Sequence, residues 1–158
     1  MDRARRDELI ARYREGLDVV ARALAGATDD ELDARPGAGE WTAREVVHHL
    51  ADSEMMSAMR LRRLLAEDEP VIQGYDEEEF ARRLFYGDRP LEASLDAVAA
   101  ARRTSADILD RLTDEQWART GTHSESGPYG VETWLGIYAV HCHDHAEQIE
   151  RARRSGSR

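Results

Sequence analysis

Lysine and asparagine are absent from this chain, and cysteine occurs once in 158 residues. Without lysine there is no Schiff-base chemistry by an ε-amine. One cysteine forbids an internal disulfide framework. Long hydrophobic runs are also missing: no apolar stretch approaches the roughly 18 residues of a membrane span. The opening stretch, "MDRARRDELIARYREGL", mixes both charge signs and lacks the uninterrupted apolar core of a signal peptide. A cytoplasmic protein without membrane contact is the expectation. Cationic charge is scarce, with 22 arginines against 32 acidic residues and a formal net charge of −10. That balance argues against binding nucleic acid through its phosphates. The densest basic stretch, "RLRR" at Arg60–Arg63, reads as a solvated helix face beside "AEDE".

What is present is helical periodicity. At this length a single domain with a real core is expected, and we place it at residues 1–154, with 155–158 as a frayed tail. Apolar residues recur at helical spacing and strand-like alternation is absent. The spacing predicts long helices over about Arg3–Ala25, from Thr42 to about Ala66, from near Pro90 through Leu112, and over about Val131–Arg153. A short helix is expected over Asp76–Phe85, after the break made by Pro70 and Gly74. "ATDDEL" follows the first long helix and "LTDEQW" the third, each a helical turn opened by a Thr cap. The echo suggests two helical hairpins packed as one all-α four-helix bundle, a fold that builds sites from side chains on facing helices.

Five of the six histidines fall in two clusters, "HH" at His48–His49 and "HCHDH" at His141–His145. A helix advances about 100° per residue, so each can be placed against its apolar stripe. With Tyr138 as zero, His141 lies at about −60° and His145 at about −20°, on the stripe, whereas His143 at about 140° should face solvent. Cys142, near 40°, falls at the buried margin and reads as a structural thiol. With Leu50 as zero, His49 at about −100° borders the buried face and His48 at about 160° should point into solvent. His141 and His145 are spaced i, i+4, which lets two imidazoles share one ion. The stretch is not HExxH, because Cys142 stands where that motif has its general base. With His49, three nitrogen ligands and open positions describe a catalytic metal site rather than a closed structural one. Imidazoles suit Zn, Ni, Cu or Fe, so these residues do not choose the metal, though Zn or Ni is the expectation.

The stretches "GEWTAREVVHHLADSE", "EDEPVIQGYDEEEF", "HSESG" and "YAVHCHDHAEQI" resemble the DinB-like superfamily, and especially its YfiT-like branch of metal-dependent enzymes. They run from about Trp41 to Ile149, and their order carries the resemblance more than any one of them does. It implies an up-down-down-up bundle, a homodimer, and His49, His141 and His145 as the metal ligands. Where close relatives end the last motif in "HHxAHI", this chain has His145-Ala-Glu-Gln-Ile149, a departure that leaves the ligand assignment in place.

The expected function is a metal-dependent enzyme acting on a small molecule, either a hydrolase or an S-transferase. The superfamily includes enzymes that use a low-molecular-weight thiol such as bacillithiol or mycothiol. A non-catalytic metal-binding or dimeric interaction protein is the alternative. Hydrolysis needs a base as well as a metal, and Asp52, Glu54 and Glu147 are the candidates, with Asp52 and Asp144 better suited to orienting a ligand histidine. His123 reads as a loop residue, and Trp41 and Trp134 as packing residues at the bundle ends that also help wall a pocket.

Overall fold

The computed structural model describes residues 1–156. Four long helices, α1 (Arg3–Leu24), α3 (Ala43–Ala66), α5 (Glu92–Leu109) and α7 (Val131–Gly156), form the bundle. Three short helices lie in the connections: α2 (Asp29–Asp33), α4 (Glu77–Arg83) and α6 (Asp114–Trp117). Three of the seven helices open on a reciprocal cap, in which a Thr hydroxyl and the side chain three residues on each satisfy a backbone N–H. The pairs are Thr28 with Glu31, Thr42 with Glu45 and Thr113 with Gln116.

Helix directions follow from contacts at the ends. The terminal amine of Met1 meets Glu132 at 2.8 Å, and Arg153 donates to the carbonyl of Ala23, so α1 and α7 run parallel. Arg6 bonds Asp114 at 2.9 Å, which brings the end of α5 to the start of α1. His48 bonds Ser94 at 2.8 Å, which sets the start of α5 beside the start of α3. The order is therefore up-down-down-up. α1 packs chiefly on α7 and α3 on α5, so the two halves interleave instead of folding as separate hairpins. The short helices α2 and α6 carry the chain across a bundle end, which prevents each long helix from folding straight back on its predecessor.

Strands are present, contrary to the expectation from periodicity. β1 (Val71–Ile72), β2 (Thr120–His123) and β3 (Gly127–Gly130) make a small sheet in the order β1-β2-β3. β1 pairs with β2 in parallel, Val71 opposite Thr122, and β2 with β3 antiparallel. Segments of two and four residues are too short for alternation to show, and the hairpin is marked only by Gly127 at φ +78°. The sheet places His123 in β2, buried, its ring 5.5 Å from that of Tyr129, rather than in a loop. The helices otherwise fall near their expected bounds, though α7 continues through Ser155 and Gly156, where fraying was expected. The rest of that tail, residues 157–158, lies outside the described residues. The arginines of "RLRR" are engaged: Arg60 reaches the Tyr138 hydroxyl at 2.9 Å and Arg63 pairs with Glu67.

Two apolar clusters share the interior. One, toward the sheet, holds Tyr13, Leu61, Leu64, Trp134 and Tyr138, and the other holds Val20, Val46, Leu50, Val98 and Ile149. Among them is a buried ion pair, Arg102 of α5 with Glu54 of α3, the two side chains 3% and 0% exposed. The same guanidinium donates to the carbonyl of Tyr13 in α1 and, at 3.2 Å, to that of Tyr138 in α7. Gly16 gives it room, because a Cβ there would lie 2.6 Å from an Arg102 nitrogen and 2.9 Å from the Cβ of Cys142.

Removing one partner of a buried pair strands the other charge. Arg102→Met is expected to cost about 3–5 kcal/mol in urea denaturation. Combining it with Glu54→Leu should restore most of the loss; a double variant as unstable as the single one would refute this account of the core.

Candidate metal centre

Helix α3 supplies His49 from its first half, and α7 supplies His141 and His145 one turn apart. Their ligand-capable atoms all lie within 4.8 Å of one another. Ring centroids are 4.6 Å apart for His141–His145, 4.7 Å for His49–His145 and 5.6 Å for His49–His141. The structure thus brings together the three histidines singled out by helical phase.

Nδ1 of His145 contacts Oε1 of Gln148 at 2.8 Å, an amide acceptor that leaves Nε2 free. Nδ1 of His49 and Nδ1 of His141 are buried without a hydrogen-bond partner. Three convergent imidazoles, each with a ring nitrogen left open, fit a divalent transition metal. Burial, reinforced by the neighbouring imidazoles, pushes His49 down to about 3 and His145 down to about 4. Both rings are therefore neutral near pH 7, the form in which imidazole carries a lone pair for a metal.

A cleft of about 490 Å³ opens at His145, lined also by Glu40, Trp41, Glu77, Glu78, Gln148 and Arg151 among others. Trp41, just before α3, stands over His49 with ring centroids 4.9 Å apart, and its indole N–H bonds Glu78 at 3.3 Å. Glu77 and Glu78 open α4. The cleft walls strip water from the Glu77 carboxyl and raise it above the usual carboxylate range. None of the three carboxylates chosen from sequence lines this cleft. Asp52 accepts from the Tyr86 hydroxyl at 2.6 Å, Glu54 is sealed in its pair with Arg102, and Glu147 is exposed on α7. Glu77 and Glu78 were missed because nothing in "YDEEEF" tells that α4 folds over the histidines.

His48 requires a correction. Helical phase points it into solvent, yet it is fully buried, with Nδ1 2.8 Å from the Ser94 hydroxyl and Nε2 3.0 Å from the Arg89 carbonyl. The Nε2–H donates to that carbonyl and Nδ1 accepts from serine. Helix α3 is covered on this side by α5 and the segment before it, so facing away from the bundle axis does not mean facing water. His143 is half-buried at the edge, its Nε2 3.1 Å from the Arg12 carbonyl, and Asp144 is exposed. Cys142 is fully buried with its thiol 3.8 Å from Glu54, and burial pushes it up to about 12. Trp134 is a packing residue that donates its indole N–H to the Ser57 carbonyl at 2.9 Å.

Two measurements follow. The Cys142 thiol should resist a thiol-reactive dye in the native protein at pH 8 and react in full after denaturation; fast native labelling would contradict its burial. In chelator-treated protein, His49 and His145 titrate near 3 and 4 when folded and near 6.5 when unfolded. The unfolded chain takes up their protons first, so their contribution is complete above about pH 6.5 and drains away as pH falls toward 3. His49→Leu should flatten part of that slope in melts between pH 6.5 and 4, and an unchanged slope would be the contrary result.

Residues 12–149 match the model of the DinB superfamily. A protein of Oceanobacillus iheyensis is 38% identical over 83% of this chain and 76% of its own length. One of Bacillus subtilis, YfiT, is 33% identical over 95% of this chain and 82% of its own. Both carry the name "putative metal-dependent hydrolase". The solved structure of Bacillus subtilis YfiT, described as having "an unusual four-helix bundle topology", superimposes with a TM-score of 0.90 at 31% identity, covering 98% of this chain and 89% of that one. With its up-down-down-up bundle and a family match over most of its length, this chain belongs to the DinB superfamily.

Proposed function

We propose that the protein is a metal-dependent hydrolase of small molecules whose ion, zinc or nickel, is held by His49, His141 and His145. The observation that carries this reading is the convergence of three imidazoles, two of them held neutral, with His145 lining an open cleft. An ion held by three histidines acidifies a bound water and polarises a substrate oxygen. Glu77 has the place of the proton acceptor, since its carboxylate shares the cleft with His145. Glu78 is tied to the Trp41 indole and so fixes the wall of the cleft. Gln148 orients His145, and Arg151 offers a cation to a substrate carbonyl or carboxylate at the rim.

A thiol S-transferase is the second reading. It is favoured by a neighbouring cleft lined by Arg35, Arg151 and Arg154, which suits the carboxylates of an acidic thiol cofactor such as bacillithiol.

Protein purified without a histidine tag should contain about one zinc or nickel per chain by elemental analysis, and His141→Ala should abolish it. Uptake unchanged in that variant would sink the assignment. Glu77→Gln should keep the metal while lowering metal-dependent turnover by about 10²–10⁴-fold. The assay is a panel of small esters and amides, run with and without added thiols. Turnover that appears only with thiol would move the assignment to the transferase, and none in either arm would favour a metal-binding protein without catalysis.

A further inference from the structure

Two polar groups beside the histidines are buried without the partners that burial demands. Nδ1 of His141 has no hydrogen bond, and neither has Oε2 of Glu54. That Nδ1 lies 3.7 Å from Oε1 of Glu54, just beyond hydrogen-bond length. Glu54 cannot turn elsewhere. It is fully buried, Arg102 grips its Oε1, and the Cys142 thiol lies 3.8 Å from the same oxygen. Arg102 in turn is anchored through Nε to the Tyr13 carbonyl at 3.0 Å and stacks over the Tyr13 ring at 3.9 Å.

We propose that Glu54, locked by Arg102, is the positioning residue of the metal centre: its carboxylate takes the Nδ1–H of His141 and so commits Nε2 of His141 to the ion. The proposal rests on the reading of the three histidines as ligands. An imidazole that binds a metal must keep its proton on the other nitrogen, and the group facing that nitrogen decides which one carries it. A carboxylate does this more strongly than an amide because its charge also makes the ring a better donor to the metal. The three ligands are then held by different means. His145 is set by the amide of Gln148, His141 by the carboxylate of Glu54, and His49 by the ring of Trp41. Glu54 lies beneath the histidines, away from the cleft, so it touches no substrate and acts only through His141.

The test uses the full chain with ¹⁵N-labelled histidine, titrated with zinc. Long-range ¹⁵N–¹H spectra should show His141 bound through Nε2 with its proton on Nδ1. Binding of zinc through Nδ1 of His141 would overturn the proposal without any mutation. Glu54→Gln should weaken zinc affinity about 10–100-fold at unchanged stoichiometry, measured by competition with a chromogenic chelator. A folded Glu54→Gln protein with a lower melting temperature but wild-type zinc affinity would show Glu54 to be structural only, and the proposal would fail. Should that variant not fold, the wild-type spectra decide alone. Wild-type protein that takes up no zinc is a different failure: the three-histidine reading is then wrong, and the role of Glu54 falls with it.

Discussion

A single guanidinium joins the four helices. Arg102 leaves α5, pairs with Glu54 of α3, and donates to carbonyls of α1 and α7, all out of water. Burying two charges is expensive, and such a pair seldom adds net stability over well-packed apolar side chains. Its effect here is on arrangement. Apolar contacts tolerate a helix sliding by a fraction of a turn, whereas a charge in a dry interior tolerates no loss of its partners. The pair therefore fixes α3 against α5 and α7, and with it the height of His49 relative to His141 and His145. Gly16 belongs to the same arrangement, since any side chain there would meet the guanidinium.

Helical phase was enough to pick His49, His141 and His145, because each lies on or beside the stripe that the bundle buries. It failed for His48, and the failure has a physical origin. From Val46 to Glu54 every residue of α3 is buried, because α5, α7 and the segment after α4 enclose that half of the helix. A hydrophobic stripe cannot distinguish faces on a helix that has no wet one. Arg102 left a legible trace, a charge in register with Val98, Ser105 and Leu109, all buried on one side of α5. Glu54 left another, at about 40° from Leu50 on the buried side of α3. Neither trace told that the two side chains meet, since their positions are 48 residues apart in sequence.

The acidic groups of the cleft were beyond reach for a different reason. Glu77, Glu78 and Glu40 come from connecting segments, whose course depends on the assembled bundle rather than on local periodicity. Charged residues in a connection look alike whether they face open water or a histidine cluster. The strands went unseen for a related reason: β1 is two residues long and is held in place by pairing with β2, about 50 positions later in the chain.

The centre is assembled from two kinds of material. The imidazoles ride on long helices whose registry is set deep inside, whereas the cleft is roofed by the turn before α3 and the first turn of α4, which rest on the bundle without threading it. Lengthening, shortening or recolouring those two segments alters what can enter while leaving the histidines where they are. Divergence within such a scaffold should therefore run fastest in the roof and slowest beneath it, so that one set of inward histidines can lie under many differently shaped openings.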